Sequence, residues 1–141
     1  LMELHQHLRR HGQSCQAAIA LVDHQPERGR MNALVIGNIK IYLLNPSGLK
    51  TLPARNGMVG GCLPEHLEPS TYPMARTSLI VIHSDGVSES GTRQTLQELD
   101  IRAAQQQLEA QLLSQQIVDQ HGKWSDDASC AVVLNKNGVQ P

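Results

Sequence analysis

The chain has 141 residues, 40% of them hydrophobic and 18% charged, with a formal net charge of −1. That is one domain's worth of polypeptide with enough apolar side chains for a core, and its composition is neither disordered nor fibrous. The near-neutral balance, without any dense Lys/Arg run, argues against nucleic acid or an anionic membrane as the main partner.

Aromatic residues are scarce, with no Phe, one Trp and two Tyr, so the core has to rest on Leu, Ile, Val and Ala. Cys15, Cys62 and Cys130 lie far apart with no C-x-x-C pair, which suits free thiols in a reducing compartment better than a disulfide framework or a zinc knot. No apolar stretch approaches the roughly 18–20 residues of a membrane helix and no signal peptide is visible, so the expected location is cytoplasmic. The start at Leu1, directly inside a helical pattern, reads as an excerpt from a longer protein.

In chain order, Leu1, Leu4 and Leu8, followed by Arg9, Arg10 and Gly12, predict the tail of an amphipathic helix stopped by glycine. Ala17–Asp23 reads as a buried strand, His24–Gly29 as a turn that includes Asp23 at its edge, and Met31–Ile36 as the returning strand. Gly37-Asn38 is a tight turn into Ile39–Leu44, and Asn45-Pro46-Ser47-Gly48 leads to a short strand near Leu49–Leu52. Brief turns between these strands predict an antiparallel meander. Asn56–Pro73, punctuated by Gly57, Gly60, Gly61, Pro64 and Pro69, carries no periodicity and reads as an ordered loop or a mobile flap.

Thr77–His83 is an apolar strand. From Gln94 to about Gln120 the pattern is helical: Ile101, Ala104, Leu108 and Leu112 share a face, with Leu113 and Ile117 beside it and seven glutamines from Gln105 to Gln120 on the polar side. Ala128–Leu134 is the last strand. The expected organisation is a single domain over 1–134 with a tail over 135–141, and the order of elements predicts an α+β fold with helices packed on antiparallel sheet. No internal repeats are present.

Two motifs carry chemistry. His83-Ser84-Asp85-Gly86 ends one apolar strand with an acid and a glycine, and Ser125-Asp126-Asp127-Ala128-Ser129 opens another. Carboxylates on two rigid strand ends are the oxygen ligands that hard cations such as Mg²⁺ and Mn²⁺ take, and Mg²⁺ keeps several waters, so a few acids suffice. Ser84 and Ser129 are placed to orient those carboxylates through hydrogen bonds. Asp-Gly is equally a turn signal and Asp-Asp equally a solvated charge pair, so the residues alone leave both readings open.

The pair of motifs resembles the Ser-Asp-Gly and closing Asp-[Asp/Asn]-x-[Ser/Thr] motifs of type 2C metal-dependent serine/threonine phosphatases (the PPM family). Together with Val35-Ile36-Gly37-Asn38-Ile39 and Arg55-Asn56-Gly57-Met58-Val59-Gly60, the chain looks most like the bacterial SpoIIE-type branch, and within it like the stressosome phosphatases that regulate sigma factors. The resemblance covers Leu1 to Leu134. It implies an αββα sandwich, with N-terminal elements of that fold missing from the chain, and a two-metal Mn²⁺ or Mg²⁺ site in which Asp85 and Asp126 are ligands. Asp127, Gly86, Ser84, Ser129 and His83 would be supporting residues. By its own chemistry a histidine beside the site could shuttle a proton at neutral pH, and the plainer reading of His83 is the end of the strand. The implied reaction is hydrolysis of phosphoserine or phosphothreonine by direct in-line attack of water, without a phosphoenzyme. The implied substrate is a phosphorylated regulatory protein, such as an anti-sigma-factor antagonist or a stressosome scaffold, and a fused ATPase or sensor domain upstream is a further implication.

Departures from the family pattern narrow this. The acid-Gly motif expected before the opening helix does not occur in the chain, and His24 follows Asp23 where that motif needs Gly. Asn38 stands where many eukaryotic relatives have Asp, which puts a third metal there in doubt. The expectation is therefore that the 141 residues alone turn over little, with a non-catalytic interaction module binding the same partners as the alternative. Among other features, His7 and His11 lack a third ligand and read as a solvated helix face. Gly57–Gly61 lacks the Gly-Lys-[Ser/Thr] of a P-loop and reads better as a flap beside the site. Nothing around Cys62 suggests a lowered thiol pKa, and Trp124 reads as a packing anchor for its loop.

Overall fold

The computed structural model describes residues 1–11, 15–74, 77–101 and 108–136, with only the backbone considered at 77 and 136. Helix α1 spans Met2–Arg10, as the leucine spacing predicts; its glycine stop at Gly12 lies outside the described residues. Strand β1 runs from Ile19 to Gln25, displaced toward the C-terminus of the predicted run. Ala17 instead makes an isolated antiparallel bridge with Val59. Asp23 is consequently a strand residue and not part of the turn: its carboxylate accepts hydrogen bonds from Asn32 at 3.1 Å and from Gln25.

A single 3₁₀ turn at Pro26–Arg28 leads into β2, Arg30–Ile36, followed by β3, Lys40–Asn45, and β4, Gly48–Thr51. Strand β5, Ser70–Pro73, lies inside the segment predicted as loop. It is a four-residue edge strand with one buried side chain, Tyr72, with Pro69 before it and Pro73 as its last residue, so it offers no alternation to read. Strand β6 is Thr77–His83 and β7 is Cys130–Lys136.

The predicted meander is corrected by the pairing. β1, β2 and β5 form one antiparallel sheet in the order β1-β2-β5, whereas β3 and β4 belong to a second sheet in the order β4-β3-β6-β7. The Gly37-Asn38 turn thus carries the chain from one sheet to the other. The physical reason is visible in β2 and β3 themselves: Ala33–Ile36 and Ile41–Leu44 are buried at every position, so each strand needs apolar cover on both faces. A meander open to water on one side would leave half of those side chains exposed. Gly37 makes the crossing at φ 91°, and a Cβ there would lie 2.7 Å from the Ala18 Cβ.

Four layers result. Met31, Ala33 and Val35 meet Ile41, Leu43 and Ile80 between the sheets. Leu34 and Ile36 on the outer face of the first sheet are covered by Leu1, which precedes α1, by Leu8 of α1 and by Val59. Tyr42, Leu44, Leu79 and Val81 on the outer face of the second sheet pack against Leu96, Leu113 and Ile117 from two helices. These are α2, Glu89–Glu98, and α3, Ala110–His121. The chain is therefore an α+β sandwich of antiparallel sheets flanked by helices.

Among the described residues, the single long helix predicted from Gln94 is interrupted between α2 and α3. α2 begins earlier because the Ser88 hydroxyl caps it, accepting from Gly91 N. It ends at Leu99, whose ψ of 112° is extended. The phase of α3 also differs from the expectation: Leu113 and Ile117 are buried, while Leu112 is 64% exposed. Ala104 and the first three of the glutamines, 105–107, lie outside the described residues. No helix among the described residues is long and apolar enough to cross a membrane.

Candidate active site

The two acidic motifs meet at one end of the second sheet. β6 and β7 pair so that His83 stands opposite Cys130, and β3 pairs with β6 so that Lys40 stands opposite His83. The segment leaving β6, the segment entering β7 and the turn before β3 are therefore neighbours by register alone.

Beyond the strands, the segments carrying Asp85 and Asp126 are joined backbone to backbone. Ser84 N donates to Ser129 O at 3.0 Å, Ser129 N donates to the Ser84 hydroxyl at 3.0 Å, and that hydroxyl donates to Asp127 O at 3.2 Å. Lys123 N donates to Gly86 O at 2.7 Å and Ser88 N to His121 O at 2.8 Å. Gly86 is the tightest point. A Cβ there would fall 2.1 Å from Asp127 O, a distance no real contact tolerates, so glycine is required by the close approach of the two backbones.

Asp85 is exposed at the tip of this turn, and so are Asp126 and Asp127 on the opposing segment. The Asn38 amide donates to one Asp85 carboxylate oxygen, and the Lys123 ammonium donates to the Asp85 carbonyl at 2.5 Å. Asp126 caps its own turn by accepting from Asp127 N at 2.9 Å. A cleft of about 210 Å³ lies alongside, lined by Ile39, Ile82, His83, Ser84, Ser129 and Cys130 among others. A larger groove of about 720 Å³ lies elsewhere, between α1 and the first sheet, and is mostly apolar.

His83 is 2% exposed and stacks on Tyr42 with ring centroids 5.7 Å apart. Its Nδ1 lies 2.7 Å from the Ser84 carbonyl, where it is placed to donate, and its Nε2 is buried without a hydrogen-bond partner. Burial holds its pKa below the usual 6.5, outweighing the Ser84 carbonyl that pulls the other way. This side chain finishes the strand and holds the turn; it does not reach solvent to exchange protons. Burial also pushes the Tyr42 hydroxyl up to about 12, and that hydroxyl donates to Glu89 O at 3.2 Å. The Cys130 thiol is likewise raised by burial, to about 11.

Lys123 and Asn38 are site neighbours that sequence reasoning did not assign. Lys123 directly follows the Gly122 that ends α3, a position from which a cation can reach across to the facing turn. Asn38 stands at the position where the resemblance has Asp in eukaryotic relatives, and its amide reaches Asp85 across the β3–β6 register. Trp124 overturns its expected role, since its side chain is fully exposed at 104% and packs on nothing.

The glycine-rich segment is the ordered loop of the two alternatives. Val59 is fully buried and exchanges both backbone hydrogen bonds with Ala17 at 2.9 Å, and Gly60 N donates to His5 Nδ1 at 3.0 Å. The Arg55 guanidinium donates to the carbonyls of His66 and Glu68 and closes the remainder. The loop approaches the site at Arg55, whose carbonyl accepts from Gly37 N at 3.0 Å, and at Gly57, whose carbonyl lies close to Gly37. His7 and His11 sit on the exposed face of α1, with His11 Nδ1 2.8 Å from His7 O. Among the described residues no group of three or more His, Cys, Asp or Glu converges as a metal cage.

The layered fold, an α+β sandwich of antiparallel sheets flanked by helices, is shared by solved structures. A structure from work on the bacterial stressosome as a modular system adapted to control secondary messenger signaling is similar with a TM-score of 0.71 at 25% identity, covering 91% of this chain and 64% of that one. RsbX in complex with magnesium is similar at 0.66 and 16% identity, with coverage of 91% and 60%. The phosphatase domain of the cell fate determinant SpoIIE from Bacillus subtilis is similar at 0.61 and 16% identity, with coverage of 98% and 73%. The chain thus spans less than two thirds of the first two structures. The family model for Stage II sporulation protein E (SpoIIE) matches residues 1–134, and the chain belongs to that family. No curated protein matches the chain.

Proposed function

We propose that the chain is the part of a cytoplasmic, metal-dependent phosphoserine/phosphothreonine phosphatase that contributes Asp85 and Asp126 as cation ligands. The observation that carries this reading is the meeting of the two acidic segments at one sheet end, stitched through Ser84 and Gly86, in a chain of the SpoIIE family. The donor chemistry fits: both acids are exposed oxygen donors on a rigid backbone, which suits Mg²⁺ or Mn²⁺ with waters completing the coordination. Bound there, such a cation would supply positive charge to the phosphoryl oxygens and lower the pKa of the attacking water.

The chain's own residues have distinct tasks in this account. Asn38 occupies one oxygen of Asp85 and leaves the other for a cation. Lys123 holds the Asp85 carbonyl and adds a positive charge beside the position of an anionic substrate. Ser84, Ser129, Gly86 and the Asp127 backbone keep the two segments in register, and His83 pins the Ser84 carbonyl from inside. The proposed substrate is a phosphorylated regulatory protein of sigma-factor signalling, such as an anti-sigma-factor antagonist or a stressosome scaffold.

Two carboxylates bind a hard cation weakly, so slow turnover is expected from the 141 residues alone. The same scarcity of ligands favours a second reading, a non-catalytic module that binds such partners without hydrolysis. Mn²⁺-dependent release of phosphate from a phosphoserine peptide, measured on the chain and on the full-length gene product, separates the two. Activity of the full-length protein that falls at least about 100-fold in Asp85→Ala and in Asp126→Ala supports the enzyme. Undiminished activity in both variants removes the ligand assignment, and no activity in the full-length protein leaves the module.

A further inference from the structure

Trp124 is the one tryptophan of the chain, and it stands fully exposed on the segment that carries Asp126. Scattered apolar side chains are ordinary on a protein surface, but this one differs in its mounting. The backbone beneath it is tied down on both sides. Lys123 N donates to Gly86 O at 2.7 Å and the Lys123 ammonium to Asp85 O at 2.5 Å, while Asp126 N donates to Lys123 O at 3.3 Å. An indole on a fixed backbone loses little entropy when a partner covers it, and tryptophan is the residue most enriched among the contacts that dominate protein interfaces.

Its distance from the acids selects the partner. Two residues of extended chain span at most about 7 Å, so Trp124 lies within one side chain's reach of the polypeptide flanking a residue held at Asp126. A peptide held at the acids extends to it through the residues that flank the phosphorylated one. We propose that Trp124 is the docking anchor for a protein substrate, its indole packing on an apolar side chain a few residues from the phosphorylated serine or threonine. This rests on the phosphatase reading for the identity of the partner and adds to it the recognition of flanking sequence.

Because no other tryptophan is present, intrinsic emission reports on this side chain alone. Two phosphoserine peptides serve as probes, one with leucines flanking the phosphoserine and one with serines in their place. Each carries a dye for anisotropy and is titrated with Mg²⁺ present. The expected result is a saturable blue shift of the emission with the leucine peptide and binding about tenfold tighter than for the serine peptide. Trp124→Ala is expected to lose that tenfold preference and Trp124→Phe to keep most of it, with circular dichroism unchanged in both.

Emission that stays put while anisotropy shows the leucine peptide bound would overturn the proposal. Equal preference in Trp124→Ala, or binding of neither peptide, would do the same. Hydrolysis of p-nitrophenyl phosphate by the full-length protein is followed separately. Its absence sinks the phosphatase reading, while the emission shift still decides whether Trp124 docks a peptide.

Discussion

Gly86 sits where two backbones come closer than a methyl group allows, and this makes it the most restrictive position at the site. Gly86→Ala has to push the Asp127 carbonyl away from the turn. The expected cost is about 1–3 kcal/mol in urea denaturation, as for other overpacked positions, together with weaker cation binding. Its dipeptide with Asp85 reads in the sequence as a turn signal, and the true constraint, approach of a chain segment 41 positions away (127 − 86), has no local signature. His83 supplies a pH dependence. Its pKa in the folded protein lies below the ordinary 6.5, so between those two values the unfolded chain binds the proton that the native state refuses. Stability is therefore fully present above pH 6.5 and falls as the pH drops below it, toward the folded pKa. Thermal melts across pH 5–8 should show that loss, and His83→Phe should flatten it; an unchanged slope in the variant would remove His83 as the cause.

At the scale of elements, the strands Thr77–His83 and Met31–Ile36 are legible because burial on both faces leaves the unbroken hydrophobic strings Leu79–Ile82 and Ala33–Ile36 within them. What the string does not state is which strand it pairs with, so β2 and β3 look like neighbours when the Gly37 turn sends them to different sheets. The helices show the converse. Leucines near Leu112 satisfy more than one helical phase, and the extended backbone at Leu99 resets the phase between α2 and α3. The two adjacent leucines test this: Leu113→Ala, in the core, is expected to cost about 2–5 kcal/mol. Leu112→Ala, on the exposed face, should stay within about 0.5 kcal/mol. Reversed costs would mean that α3 is rotated.

At the scale of the molecule, four layers deliver three short segments to one end of the second sheet: the turn before β3, the turn after β6 and the loop before β7. Asp85 and Asp126, the proposed ligands, stand out in the sequence because each lies close to an apolar strand. Asn38 stands out only through the resemblance and Lys123 not at all, since its contact comes from a side chain reaching across. The outward Trp124 was hidden for a related reason: a lone aromatic beside a strand is ordinarily a core residue, and nothing local marks it as left outside.

The central claim is that Asp85 and Asp126 together hold one divalent cation. Titration of the chain with Mn²⁺, followed by loss of the free-ion electron paramagnetic resonance signal, tests it without depending on turnover. The account predicts saturable binding that weakens about tenfold or more in Asp85→Ala and again in Asp126→Ala, with folding intact by circular dichroism. Mn²⁺ affinity unchanged in both variants would contradict it.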